Sequence, residues 1–405
     1  MKVFYVLCIS VLVLIACSGG EDTSIVEQGF TRAEQQLSNQ LKAVPEATEY
    51  PRTIGKDGKL KVTRKNDWTE GFYPGCLWYV YEYTNKDWKK AAIKWTESLE
   101  PLKKMTNHHD IGFLMYCSFG NAYRLTGNEA YKDVLVESAR SLCTRFNEKT
   151  GCIKSWNYRK SWNGKDEWFY PVIIDNMMNL ELLYFATKVT GDSVYAKVAN
   201  RHAETTAKNQ FREDYSNYHV VNYDAETGEV LNQATCQGFS DNSAWARGQA
   251  WAIYGYTMAY RETHRQDFLD MAVHTADFWL NHPNLPEDGI PYWDFNAGQE
   301  DYVPDWNYDP EIFKVVPRDA SAAAIVASAF LELSGYVTDG KKYSAAAAHI
   351  LKSLSSPAYL AEPGTNCNFI LMHSVGSIPH GEEIDVPLIY ADYYYLEALM
   401  RYKNM

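Results

Sequence analysis

Apolar positions along this chain alternate between two patterns. The first is a near-continuous apolar run that ends at a Thr-centred turn. The second begins just after the turn and is Ala-rich, with a single apolar stripe at helical spacing. The turns lie at Thr84-x-x-x-Trp88, Thr126-Gly127-x-x-x-Tyr131, Thr190-Gly191-x-x-x-Tyr195, Thr263-x-x-x-x-Phe268 and Thr338-Asp-Gly-x-x-Tyr343. The amphipathic stretches run Tyr131 to Leu142, Tyr195 to Lys208, Phe268 to Leu280 and Tyr343 to Leu354. This predicts a repeated helical hairpin, buried helix first and half-exposed helix second. Counting sixteen residues back from each Thr reaches Trp68, Asp110, Ile174 beside Asp175, Arg247, and Ala322 beside Ser321. A sixth buried helix is predicted from near Asp385 to Met400. Six buried helices with about as many outer ones predict an all-α fold, a closed double ring. Strand signals are sparse; Tyr218 to Asp224 and Glu229-Val-Leu predict a small β-hairpin in the loops, turning at Thr227-Gly228.

A sixteen-residue helix is about 24 Å long. Asp110 and Asp175 are therefore predicted at the same end of neighbouring helices. The plain alternative for each is a helix N-cap. The connections 143–174, 209–246, 281–318 and 356–384 return to that end, and loops this long are usually functional. They carry Trp156, Trp162, Trp168, His219, Gln237, Trp293 and Trp306, so one mouth collects acids, amides and indoles. Twelve Trp and thirty Tyr are a heavy aromatic load. Most must pack the core, but Trp162 on a loop and Trp68 at a helix head are candidates to stack on a sugar. Two carboxylates across a sugar pocket suit acid and base work at a glycosidic bond. A neighbouring carboxylate and an aromatic wall would keep one of them protonated against the pull of a helix N-terminus. Arg247 falls at the same level and is expected to face Asp110, Asp175 or a uronate, or else to tie hairpins together.

Residues 3 to 16 form a short apolar run behind Lys2 and read as a signal peptide. Leu14-Ile15-Ala16-Cys17 is similar to a bacterial lipobox. The expected organisation is a lipoprotein signal peptide over 1–17, a polar tether and lead-in over 18–50, and the helical catalytic domain over 51–405. Export follows, to the periplasm or the outer membrane, with membrane contact only through lipid on Cys17; simple secretion is the alternative. A formal charge of −12 argues against nucleic acid as a partner. The six remaining cysteines contain no Cys-x-x-Cys pair, and neither a zinc signature nor a nucleotide-binding glycine motif occurs, so no metal or organic cofactor is expected. An oxidising compartment would allow one disulfide, such as Cys143 with Cys152.

Several stretches resemble the unsaturated glucuronyl hydrolases of glycoside hydrolase family 88. They are Trp68-Thr-Glu-Gly-Phe-Tyr-Pro-Gly75, His109-Asp110-Ile-Gly-Phe, Asp175-Asn-Met-Met-Asn-Leu, His219-Val-Val-Asn-Tyr-Asp, Ser243-Ala-Trp-Ala-Arg-Gly-Gln-Ala-Trp251, Leu285-Pro-Glu-Asp-Gly-Ile-Pro-Tyr-Trp-Asp294 and His373-Ser-Val-Gly-Ser377. In this order they span about residues 60 to 400. The resemblance implies an (α/α)6 barrel and hydration of the C4=C5 double bond that polysaccharide lyases leave on a terminal uronate. It implies Asp175 as general acid and base, with Asp110 as its partner. It also implies substrate or water contacts at Trp68, His109, His219, Gln237, Arg247, Trp251, Ser374 and Ser377. Some family members extend the serine pair to Ser-x-x-Ser-x-Lys, a sulfate contact; here Pro379 takes the Lys position, which predicts a weaker preference for sulfated substrates. The expected partner is an unsaturated uronate-containing di- or oligosaccharide, met by a monomer or weak homodimer. Two alternatives are an unsaturated rhamnogalacturonyl hydrolase acting on pectin fragments and a non-catalytic glycan-binding lipoprotein.

Overall fold

The computed structural model describes residues 19–64, 66–309, 311 and 314–405. The predicted signal peptide and Cys17 lie outside them. Five helical hairpins follow one another along the chain. Their inner and outer helices are Phe72–Thr84 with Lys89–Ser98, Ile111–Met115 continued to Thr126 with Glu129–Cys143, and Leu180–Thr190 with Val194–Asn209, then Ala246–Thr263 with Gln266–Asn281 and Ala320–Ser334 with Gly340–Leu354. The sixth inner helix is Ile389–Lys403. Neighbouring inner helices touch in chain order, and the sixth touches the first, so the ring closes into an (α/α)6 barrel.

The two apolar patterns separate as expected. Every residue from Ala320 to Leu331 is buried, so that inner helix meets protein on all sides. The outer helix Gln266–Asn281 buries only Phe268, Leu269, Ala272, Thr275, Ala276 and Trp279, one stripe at helical spacing.

The recurrent Thr has a local cause. Thr84, Thr126, Thr190 and Thr263 each donate their hydroxyl to the carbonyl four residues back, at 2.6 to 2.7 Å. Each also accepts the N–H two residues ahead. The residue between turns left-handed: Asn85 at φ 51°, Gly127 at 66°, Gly191 at 74° and His264 at 54°. One side chain thus closes the helix and starts the turn. The fifth turn departs from this, because its inner helix ends earlier, at Ser334, leaving Thr338 exposed.

Two expectations are corrected here. The polar segment after residue 18 is no tether, since Gly19–Ala43 is a helix. It buries Val26, Phe30, Ala33 and Leu37 against the sixth and first inner helices. Gly29 is so close to Leu399 and Tyr395 that a β-carbon there would overlap both. This helix serves as the outer partner of the sixth inner helix and completes the double ring. The disulfide is also absent: Cys143 and Cys152 are both free thiols.

The long loops gather at the N-terminal ends of the inner helices and carry small antiparallel sheets. Val220–Tyr223 pairs with Val230–Ala234 around the predicted turn, where Gly228 has φ 83°, and Pro171–Ile173 adds a third strand. Arg159–Lys160 pairs with Glu167–Trp168, and Ser374–Ser377 pairs with Glu382–Val386.

Candidate active site

Asp110 and Asp175 stand at the heads of neighbouring inner helices, and neither side chain makes a capping hydrogen bond. The N-cap alternative fails for both. Asp175 is placed by the three-stranded sheet. Pro171–Ile173 leads into its helical turn, Ile173 pairs with Val220, and the Ile174 N–H donates to the His219 carbonyl at 3.1 Å. Asp175 and His219 are thereby set side by side.

His219 is locked in one tautomer. Its Nδ1 accepts the backbone N–H groups of Cys236 at 3.0 Å and Gln237 at 3.1 Å. The proton must therefore sit on Nε2. That Nε2 is 3.7 Å from Asp175 Oδ2, too long for a hydrogen bond, and neither atom has a closer partner. Burial, reinforced by the positive charge of Arg247, pushes His219 well below the usual imidazole range, so it stays neutral. Burial lifts Asp175 to about 7; Arg247 opposes this and Asp110 adds to it. For Asp110, burial also favours the neutral form, but His109 and His108 outweigh it and hold its carboxyl below the ordinary range. Both imidazoles lie 3.3 Å from it. Two neighbouring carboxyl groups, 14% and 12% exposed and lining none of the cavities described below, thus have their proton affinities driven apart, the arrangement that lets one act as an acid while the other stays ionised.

The other predicted residues occupy three positions. Trp68, Gln237 and Ser377 line a cavity of about 240 Å³ together with Arg52, Trp156, Arg159, His380 and Tyr390. Trp162 donates its indole N–H to the Cys236 carbonyl at 3.1 Å and lines an adjoining crevice with Trp306 and Pro379. His109, Trp251, Ser374 and Arg247 lie beneath, at most 1% exposed, and back the site rather than line it. Trp251 packs on Phe113 and Tyr394 and directs its indole N–H at the Asp175 carboxyl, favouring its ionised form.

Of the two expectations for Arg247, the structure bears out the second: it ties the fourth hairpin to the fifth instead of pairing with Asp110 or Asp175. It pairs with Asp319 at 3.0 Å and donates to the carbonyls of Val375 and Gly376, while its face lies against Trp245 and Tyr390. Asp319 caps the next inner helix, Ala320–Ser334, through Oδ1, which leaves Oδ2 for the guanidinium. Counting along the chain places Arg247 at the right level; only ring order shows that the fifth hairpin supplies the nearer acid. Asp319 was legible as a cap ahead of an Ala-rich run, whereas Arg159 and His380 sit in irregular loops with no periodic signal.

Size alone does not mark this site. A larger cavity, about 590 Å³, opens between the C-terminal halves of the inner helices and is lined by Tyr79, Tyr116, Arg124, Tyr254 and Glu397. None of the candidate residues lines it.

A family profile described as Glycosyl Hydrolase Family 88 matches residues 46–284. The chain belongs to that family. It is 47% identical over 387 residues to an unsaturated glucuronyl hydrolase of Formosa agariphila, covering 94% of this chain and 92% of that protein. It is 35% identical to an unsaturated chondroitin disaccharide hydrolase of Streptococcus agalactiae, covering 93% and 91%. Among solved structures, an unsaturated glucuronyl hydrolase specific for heparin superposes with a TM-score of 0.87 at 45% identity, covering 94% of this chain and 97% of that one. Neither the rhamnogalacturonyl nor the non-catalytic alternative is favoured by these likenesses.

Proposed function

We propose that this glycoside hydrolase acts as an unsaturated glucuronyl hydrolase, with Asp175 as the group that moves the proton. Protonated Asp175 delivers its proton to C4 of the terminal unsaturated uronate. The resulting carboxylate takes a proton from water as the water oxygen bonds to C5, which restores the acid. The adduct is a hemiketal; its ring opens to the 5-keto form, and the neighbouring sugar leaves with its glycosidic oxygen. Asp110 stays ionised, binds sugar hydroxyls and keeps the proton affinity of Asp175 high. The neutral His219, with its N–H on the Asp175 side, orients water or substrate.

The supporting observation is the buried Asp175 carboxyl, lifted to about 7, whose Oδ2 faces the unpartnered Nε2–H of His219. A group titrating near neutrality can both give and take a proton at working pH. The test follows the ultraviolet absorbance of the conjugated uronate with lyase-generated disaccharides. Asp175→Asn is expected to lose about 10³-fold or more in kcat with binding largely retained. Undiminished turnover by that variant would refute the assignment.

The same reading includes export and lipid attachment through Cys17, with substrate arriving as polysaccharide fragments outside the cytoplasm. Cys17→Ala should release the protein from membranes; an unchanged membrane fraction would contradict it.

A further inference from the structure

His109 is fully buried, and burial holds its imidazole down to about 4; Asp110 and Asn176 oppose this, while His108 and Arg145 add to it. The ring is therefore neutral at working pH. A neutral imidazole presents one N–H and one lone pair, so its effect on a neighbouring carboxylate depends on which nitrogen holds the proton. His109 Nε2 lies 3.3 Å from Asp110 Oδ1. An N–H at that nitrogen stabilises the Asp110 anion, and a lone pair there repels it. A neutral His108 has no such proton to give, because its Nδ1 accepts the Asp110 backbone N–H at 3.2 Å. Burial also holds the nearby His202 neutral, lowering it to about 3.

Two side chains decide between the nitrogens, and both act at Nδ1. Asn179 closes the helical turn Ile174–Asn179, is fully buried, and accepts the Phe113 N–H on Oδ1 at 3.1 Å. That bond orients the amide, so Nδ2 is the atom turned to His109 Nδ1, at 3.5 Å. The approach is close: a β-carbon on Gly112 would fall 2.5 Å from the Asn179 Cα. Ser155 is equally buried and accepts the Ile173 N–H on Oγ at 3.0 Å. Its hydroxyl proton is left for His109 Nδ1, 3.4 Å away, while its carbonyl takes the His109 backbone N–H at 3.2 Å. With two donors facing it, Nδ1 holds the lone pair and Nε2 the proton. We propose that Asn179 and Ser155 are positioning residues for the reaction: from behind His109 they fix the tautomer whose N–H faces Asp110, and so keep that carboxylate charged and in place. This rests on the hydration reading of the same site.

The experiment reads the proton directly, by two-bond proton–nitrogen NMR of the full chain carrying isotope-labelled histidine, with His109 identified as the signal lost in His109→Gln. At neutral pH wild type should show Nε2 protonated and Nδ1 bare. Asn179→Asp keeps the shape and the Phe113 contact but faces Nδ1 with an acceptor, so a proton should appear on Nδ1. Ser155→Ala should lower kcat/KM about tenfold. Its rise of kcat/KM at acid pH, which follows ionisation of Asp110, should also move to higher pH, because a weakened N–H contact favours the Asp110 anion less. A residue that only packs would lower stability and leave that limb in place. A wild-type ring protonated on Nδ1, a bare Nδ1 in Asn179→Asp, or an unmoved acid limb in Ser155→Ala would each overturn the proposal. Wild type that turns over no unsaturated uronate would instead sink the hydration reading, and the proposal with it.

Discussion

At the residue scale, the site works by dividing two like groups. Asp110 and Asp175 are neighbours, yet the former has imidazoles on both sides and the latter meets only the indole of Trp251 and, across a gap, the N–H of His219. The sign of the pH dependence follows. Asp175 must be protonated to start the reaction, so kcat/KM should fall as pH rises through about 7, with a slope of one proton. A rate that instead climbs through that range would mean Asp175 acts first as a base. Both aspartates were legible in the sequence because each heads an apolar run at a fixed distance from a turn. The partner of Arg247 was not, because which acid meets a guanidinium depends on which helices neighbour it. Nor was Arg159 legible as a site residue, since irregular loops leave no period to count.

At the scale of the element, one threonine hydroxyl repeats the same task at four turns. Thr126 closes its helix through two hydrogen bonds, whereas the exposed Thr338 makes none. Thr126→Val should therefore cost about 1 kcal/mol in chemical denaturation, and Thr338→Val should fall within about 0.5 kcal/mol of wild type. Equal effects at both positions would show that the hydroxyl is not the device. The turn pattern made four inner helices countable from their C-terminal ends, and it misled by a few residues at the fifth, where the hydrogen bonds are missing. The three-stranded sheet was legible only as the hairpin of its central strand Val220–Tyr223 with the edge strand Val230–Ala234. Pro171–Ile173 is too short to give an alternating pattern, although it is the strand that aligns Asp175 with His219.

At the scale of the whole molecule, the ring closes through the two ends of the chain. Gly19–Ala43 packs on Ile389–Lys403, so residues that read as a polar lead-in complete the barrel. Its apolar stripe is thin and its other faces are polar, the composition of a linker and of an outer barrel helix alike. Phe30 is fully buried and stacks on Tyr83 at 4.0 Å. Phe30→Ala should cost about 3–5 kcal/mol of unfolding free energy; a tether would show no change. Closure also fixes the registry of all six helix heads, and it is this that sets Asp110 of the second hairpin beside Asp175 of the third.

The central claim is that burial, with the charge on Asp110 added to it, keeps a proton on Asp175. Its most direct test is the pH profile of kcat/KM for wild type and for the residual activity of Asp110→Asn. Removing that negative charge should move the falling limb from about 7 to lower pH, because the anion that raises Asp175 is gone. A limb that stays in place in the variant would contradict the account.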